Sequence, residues 1–310
     1  MLSACHSREG GKPRSAATAW IPAFAGMTAL LLAGCASTPV TGAVSTPSTT
    51  TTRTTYVLPQ ESQQGALVIG HTHPTARVEY AGRVVRVAPD GTFAIGVARD
   101  APATIVVAIT PPASTRIEHR ITVTPRDFPV ERITGVPPQT VSPSPEIAAR
   151  IEREQAAVAA ARTRDDARSD FAQAFTWPVA GRISGRFGNQ RVYVLPDGTE
   201  VPQAPHSGMD IAAPAGTPVL APAAGIVTFA ATDLYLTGGT LLLDHGHGVS
   251  SNFLHLSRID VHVGDRVAQG QVIGAVGATG RASGPHLHWG MNWFEVRIDP
   301  LLVLGENATR

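Results

Sequence analysis

The chain has 310 residues, 16% charged and 43% hydrophobic, with 25 prolines and 30 glycines; this suits a β-rich exported protein of one large or two modest domains plus tails better than a helical one. Setting aside the three basic residues and Glu9 that precede Cys35 leaves 22 arginines, no lysine and 23 acids, a formal net charge of −1, so nucleic-acid binding has no electrostatic support. The two cysteines, Cys5 and Cys35, both precede the foldable part and exclude a disulfide or a thiolate metal site within it.

Residues 1–34 read as an export signal. Arg8, Lys12 and Arg14 form a positive region, Ala16 to Leu32 is mostly apolar, and Leu32-Ala-Gly-Cys35 follows. The tetrapeptide resembles a lipoprotein signal-peptidase box. That resemblance implies lipid on Cys35 as the first mature residue and attachment to a membrane through this anchor. Ala36 and Ser37 lack an acidic inner-membrane retention signal, which implies an outer-membrane lipoprotein facing the periplasm. Pro22 interrupts an already short apolar stretch and speaks against a transmembrane helix. Translation from Met27 is an alternative start, although it would remove all three basic residues. Leu2-Ser-Ala-Cys5 also looks like the box but has no apolar run before it. Residues 35–60 are rich in Ser, Thr, Pro and small residues and read as a disordered tether.

From 61 to 135 the composition turns to Val, Ile and Thr in short runs, as in a small β-sandwich-like domain. Arg83 to Val87, the turn Ala88-Pro-Asp-Gly91 and Thr92 to Val97 predict a hairpin. Thr104 to Ile109 and His119 to Val123 predict further strands. His71-Thr-His73 has the spacing of a ligand pair, but Pro74 follows at once and no carboxylate is suitably placed. This domain reads as a positioning, glycan-binding or spacer element.

Residues 136–174 hold a Pro-rich linker and then a helix. Ser144-Pro145-Glu146 supplies a capping hydroxyl, a first-turn proline and an early acid. Ile147, Ile151 and Val158 repeat at helical spacing, which predicts a helix to about Phe171, packed on one domain or bridging two. Its arginines are offset by Glu152, Glu154, Asp165 and Asp166, a solvated face.

The region 175–310 carries the chemistry. Gly216 to Val227 predicts two short strands around a turn, and Leu241 to Gly248 a buried strand running into a loop. Val263 to Gly274 has a strand, turn, strand form similar to lipoyl and biotinyl carrier hairpins, but Lys12 is the chain's sole lysine and the carrier reading fails. In His206-Ser-Gly-Met-Asp210 the two ends would lie about 13 Å apart if fully extended, so the chain is expected to turn, with Gly208 placed to allow it. In Gly284-Pro-His286-Leu-His288 the two imidazoles share a strand face roughly 7 Å apart, so that one can bind an ion while the other handles protons. Two imidazoles and a carboxylate with a fourth position left for water match a catalytic zinc site, whereas structural zinc usually recruits thiols. His255 stands between the two motifs. His245 and His247, beside Asp244, read as loop-shaping or substrate-contacting, His262 as solvated, and Trp289 and Trp293 as core or glycan-stacking residues.

These motifs, with Trp177-Pro178 and Gly181 to Gly188 ahead of them, resemble the LytM-type (M23 family) zinc metallopeptidases, the lysostaphin-like peptidoglycan endopeptidases. The resemblance covers 175–310 and implies a mainly β fold with a β-roll-like peptidase domain. It implies one Zn²⁺ held by His206, Asp210 and His288, with His286 and His255 as catalytic residues, one taking the water's proton and the other stabilising charge; the base is assigned to His286. The implied substrate is the stem peptides and cross-links of peptidoglycan, with D-alanyl–meso-diaminopimelate the usual bond in a Gram-negative envelope. Protein regulators are compatible with this family. The absence of a His-Glu-x-x-His helix excludes the thermolysin plan. The rival reading is a noncatalytic LytM-type scaffold or activator of another hydrolase; such proteins typically lose ligands that this chain keeps. A third is an enzyme whose site is covered by its own N-terminal region.

Overall fold

Alternation in one strand, His286–Trp293, fixes the layout of the C-terminal half. Leu287, Trp289, Met291 and Trp293 face the core, each at most 1% exposed, while His286, His288, Gly290 and Asn292 share the opposite face. This settles Trp289 and Trp293 as core residues. The computed structural model describes residues 56–134, 141 and 143–308. The export signal, Cys35 and the tether up to residue 55 lie outside the described residues.

The strand His286–Trp293 is central in an eight-stranded sheet. One side runs through Gly208–Ala212 to Arg182–Gly185; the other runs through Val249–Leu256, Gly238–Gly246 and Gly225–Leu234 to Arg266–Val267. These neighbours are antiparallel, and Val296–Ile298 pairs with the far end of the central strand. Gly238–Gly246 is buried throughout, as its apolar run predicts. A smaller sheet of Pro218–Leu220, Val272–Ala275 and Arg258–Ile259 closes the roll.

The N-terminal part holds two sheets, one of Tyr56–Val57, Leu67–Thr72 and Thr92–Gly96, the other built on Thr104–Thr110 and Ile117–Thr124. Strand structure thus begins at Tyr56, inside the stretch expected to be tether. The expected hairpin between Arg83 and Val97 does not pair. Its turn forms, with Gly91 N–H donating to Ala88 O at 2.8 Å, but Arg83–Val85 pairs with Arg77–Tyr80 and Thr92–Gly96 pairs with Leu67–Thr72 in the other sheet. The true hairpin turns at Ala81-Gly82, where both residues have φ above zero (48° and 76°), as a two-residue turn of matching twist requires.

Both regions share one hydrophobic core, and the described residues belong to one compact unit. Arg126 Nη2 donates to Asp299 Oδ2 at 2.8 Å, and Tyr80 packs 5.7 Å from Trp293, ring centre to ring centre. The strand Val130–Thr134 runs parallel to Gln190–Val194, so the N-terminal region adds a strand to the peptidase part.

The helix spans Pro145–Arg162, capped by Ser144, whose Oγ accepts from Ile147 N–H. Its inward face is the half-buried stripe Ile147, Ile151, Glu154, Val158 and Arg162. It ends well before Phe171 because the following acids serve local partners: Asp166 Oδ1 accepts from the backbone N–H of Arg168, and Asp165 accepts from Arg86.

Candidate active site

Cross-strand register brings two of the expected ligands together. Asp210 lies directly opposite His288, and Ala212 opposite His286. His206 stands in the loop just before the strand Gly208–Ala212. Its backbone is tied to Gly188 and Asn189 by two hydrogen bonds of 2.9 Å, with Gly188 at φ +81° making the turn. Gly208 therefore does not turn the chain. It begins the strand, and a Cβ there would sit 2.5 Å from Trp289 O and 2.8 Å from His288 Nε2, so its small size keeps the site open.

The donor atoms converge. His206 Nε2 lies 3.1 Å from Asp210 Oδ1 and 3.0 Å from His288 Nδ1, and His288 Nδ1 lies 2.8 Å from Asp210 Oδ1. All three residues are buried, at 4%, 9% and 5% exposure for His206, Asp210 and His288. Among the described residues this is the one group of three or more such side chains able to hold a metal ion. His206 Nδ1–H donates to Arg186 O at 2.9 Å, and since a carbonyl can only accept, Nε2 is left as a lone pair. Burial pushes the His288 imidazole down to about 3, keeping it neutral. Burial alone would raise Asp210, but the imidazoles of His206 and His288 packed against it outweigh this and hold the carboxylate well below its usual range. Two neutral imidazoles and one ionised carboxylate suit Zn²⁺ chemically.

The other two histidines stand beside this cluster. His286 Nε2 lies 3.9 Å from Asp210 Oδ1, and the His255 ring is centred 4.8 Å from that of His286. His286 Nδ1–H donates to Gly284 O and His255 Nδ1–H to Thr279 O, both at 2.8 Å, so each neutral ring carries its lone pair on Nε2. His255 adopts φ +64°, a conformation uncommon for a non-glycine residue. Burial lowers it to about 4.

The remaining histidines are brought to other tasks. His245 is fully buried, its Nδ1–H donating to Ala224 O at 2.7 Å while Ser251 Oγ lies 2.8 Å from Nε2. His247 is buried against Phe171, His262 is exposed, and His73 Nδ1 accepts from the backbone N–H of Thr75.

Two features were invisible to motif reading. Arg191 Nη2 donates to Asp210 Oδ2 at 2.6 Å, and Asn189 Nδ2 donates to Glu131 Oε1 at 2.5 Å, with Arg191 Nε 3.6 Å from Glu131 Oε2. A carboxylate from the N-terminal region thus stands behind the arginine that steadies a metal-site carboxylate. The second feature is the wall. A cavity of about 920 Å³ opens over the histidines and is bounded by the helix residues Ile151, Glu154 and Val158. The helix is tied to the sheet by Glu154 Oε2, which accepts from Tyr235 N–H at 2.8 Å, and by Arg150 Nη2, which donates to Asp233 O at 2.6 Å.

Residues 204–300 match the model of peptidase family M23. A crystal structure of a Pseudomonas aeruginosa protein assigned to peptidase M23 is 33% identical, with a TM-score of 0.60, over 78% of this chain and 94% of that one. This chain belongs to peptidase family M23. Among curated relatives, the peptidoglycan DD-endopeptidase ShyA of Vibrio cholerae is 40% identical over 108 residues, 35% of this chain and 24% of ShyA. The DD-carboxypeptidase/endopeptidase Mpg of Neisseria meningitidis is 45% identical over 94 residues, 30% of this chain and 20% of Mpg. The cell division protein DipM of Caulobacter vibrioides is 34% identical over 136 residues, 42% of this chain and 21% of DipM. The chain thus spans about a quarter or less of the length of these curated relatives.

Proposed function

We propose that this M23 protein is a zinc endopeptidase that hydrolyses peptide cross-links of peptidoglycan, with D-alanyl–meso-diaminopimelate as the scissile bond. The observation that carries the reading is the convergence of His206 Nε2, Asp210 Oδ1 and His288 Nδ1 within 3.1 Å at the edge of a cavity. The peptidoglycan DD-endopeptidase activity named for ShyA supports the substrate class. Zinc held by these three residues would supply a Lewis acid that polarises the scissile carbonyl and lowers the pKa of water to about 7.

In this reading His286 Nε2, free of hydrogen and aimed at the cluster, takes the proton of the attacking water and returns it to the leaving amine. His255 has the same tautomer, so its Nε2 donates to a developing oxyanion only after protonation, which its burial opposes. We therefore give His255 the task of accepting a hydrogen bond from the water and orienting it. A noncatalytic scaffold would not require the five residues His206, Asp210, His255, His286 and His288 to stand together.

Lipid on Cys35 and residence at the outer membrane, facing the periplasm, complete the proposal. The test is release of muropeptide monomers from purified cross-linked sacculi by the zinc-loaded protein. Cleavage lost on zinc removal and restored by zinc supports the enzyme; zinc binding with no cleavage supports the scaffold.

A further inference from the structure

Two guanidinium groups on the cavity wall lack an acidic partner among the described residues. Arg162 is the last residue of the helix Pro145–Arg162, and Arg297 lies in the strand Val296–Ile298; both line the cavity that holds the metal-site residues. Neither forms an ion pair within 4.0 Å among the described residues, and Arg162 Nε is buried without a hydrogen-bond partner. Arg297 Nη1 donates to Asn292 Oδ1 at 3.2 Å, and Nδ2 of the same Asn292 is also buried and unpartnered. The other cavity arginines have partners: Arg191 pairs with Asp210, Arg99 Nε donates to Gly188 O at 2.6 Å, and the Arg281 guanidinium lies over the Tyr193 ring, 5.2 Å from its centre.

A desolvated charge with no counter-charge is costly, and two of like sign side by side are costlier. Burial, with Arg297 beside it, pushes Arg162 down to about 9, and burial lowers Arg297 as well. Such a pair is stabilised by an anion that arrives from outside. Asn292 lies four residues along the strand from His288, on the same face, which is about 13 Å. Between them lies the cross-strand pair Gly208 and Gly290, and the amide of Asn252, which lines the cavity, packs over Gly290.

We propose that Arg162 and Arg297 form a carboxylate-binding subsite that holds a free carboxylate of the peptide substrate on the wall of the cavity that contains the metal donors. The inference rests on the peptidase reading for the identity of the ligand and names what that enzyme selects. Guanidinium is the donor best matched to a carboxylate, offering paired N–H groups in a planar fork. Because Arg162 comes from the helix, the helix supplies substrate contact as well as a wall.

The test uses the full zinc-loaded chain and two probes: a diaminopimelate-containing stem peptide with free carboxylates, and the same peptide with every carboxylate converted to carboxamide. Calorimetric titration is expected to show the acid binding roughly tenfold or more tightly than the amide. Arg162→Gln and Arg297→Gln should each remove most of that preference, and Arg297→Lys should keep part of it. Equal affinity of the wild type for both probes, binding of neither, or a preference intact in both Gln variants would overturn the subsite. If Arg297→Gln fails to fold, Arg162→Gln, at the helix end, decides. Cleavage of the cross-linked dimer is followed in parallel. Acid preference without cleavage keeps the subsite and removes the peptidase reading; cleavage without acid preference does the reverse.

Discussion

Arg191 and Asp210 form an ion pair, Nη2 to Oδ2 at 2.6 Å, that leaves Oδ1 of the same carboxylate to face His206 and His288. The pair orients the carboxylate and keeps its free oxygen on the metal side. Arg191→Gln is expected to weaken zinc binding by about 10- to 100-fold, the usual cost of losing an outer partner of a ligand. Competition against a chromogenic chelator measures it. Unchanged affinity would reduce Arg191 to a packing residue.

Much of this site could be read from the chain because strand alternation is local. His286 and His288 fall on one face, with Leu287 and Trp289 on the other, and that pattern needs no knowledge of the partner strands. Arg191 could not be read this way. It precedes Asp210 by 19 residues inside an ordinary strand, and only the tertiary fold brings them together. The hairpin expected around Pro89 failed for a similar reason. A turn signal fixes the turn, whereas the choice of sheet for each flanking strand depends on which distant strands receive them. The helix end was missed because Asp165 and Asp166 continue a polar pattern that a helix tolerates but serve Arg86 and Arg168 instead.

The junction between the N-terminal region and the peptidase part should matter to stability. Asp299 caps the helix Pro300–Val303 with Oδ1 and accepts from Arg126 with Oδ2, and its side chain is 3% exposed. Arg126→Ala strands this carboxylate. A loss of about 3 kcal/mol is expected, at the low end for a broken buried pair because Arg126 is partly exposed. Urea unfolding should show it as one lowered transition. Two separated transitions in the wild type would contradict the shared core.

Acid should destabilise the metal-free chain through its buried imidazoles. His245 is fully buried and pushed down to about 4, against 6.5 when unfolded. Between those values the unfolded chain binds the proton that the folded chain refuses, so stability rises with pH and is lost as pH falls from about 6.5 toward 4. The difference is worth roughly 3 kcal/mol for this one group. Urea midpoints at pH 7 and pH 5 in chelator measure the trend; a flat or opposite dependence would contradict the burial assigned to it.

Anchoring has its own test. Intact-mass analysis of membrane-extracted protein should find a chain that begins at Cys35 and carries acyl mass. A chain retaining Met1 or Met27 without lipid would contradict the anchor.

The central claim is a division of labour: His206, Asp210 and His288 hold the ion, while His286 moves the proton and His255 orients the water. Zinc content and muropeptide release from cross-linked sacculi, measured side by side for wild type, His286→Ala and His255→Ala, test it most directly. The account predicts about one zinc per chain in all three proteins and cleavage lowered by about 10²- to 10⁴-fold in each variant. Near-normal cleavage by both variants, or zinc lost together with activity, would contradict it.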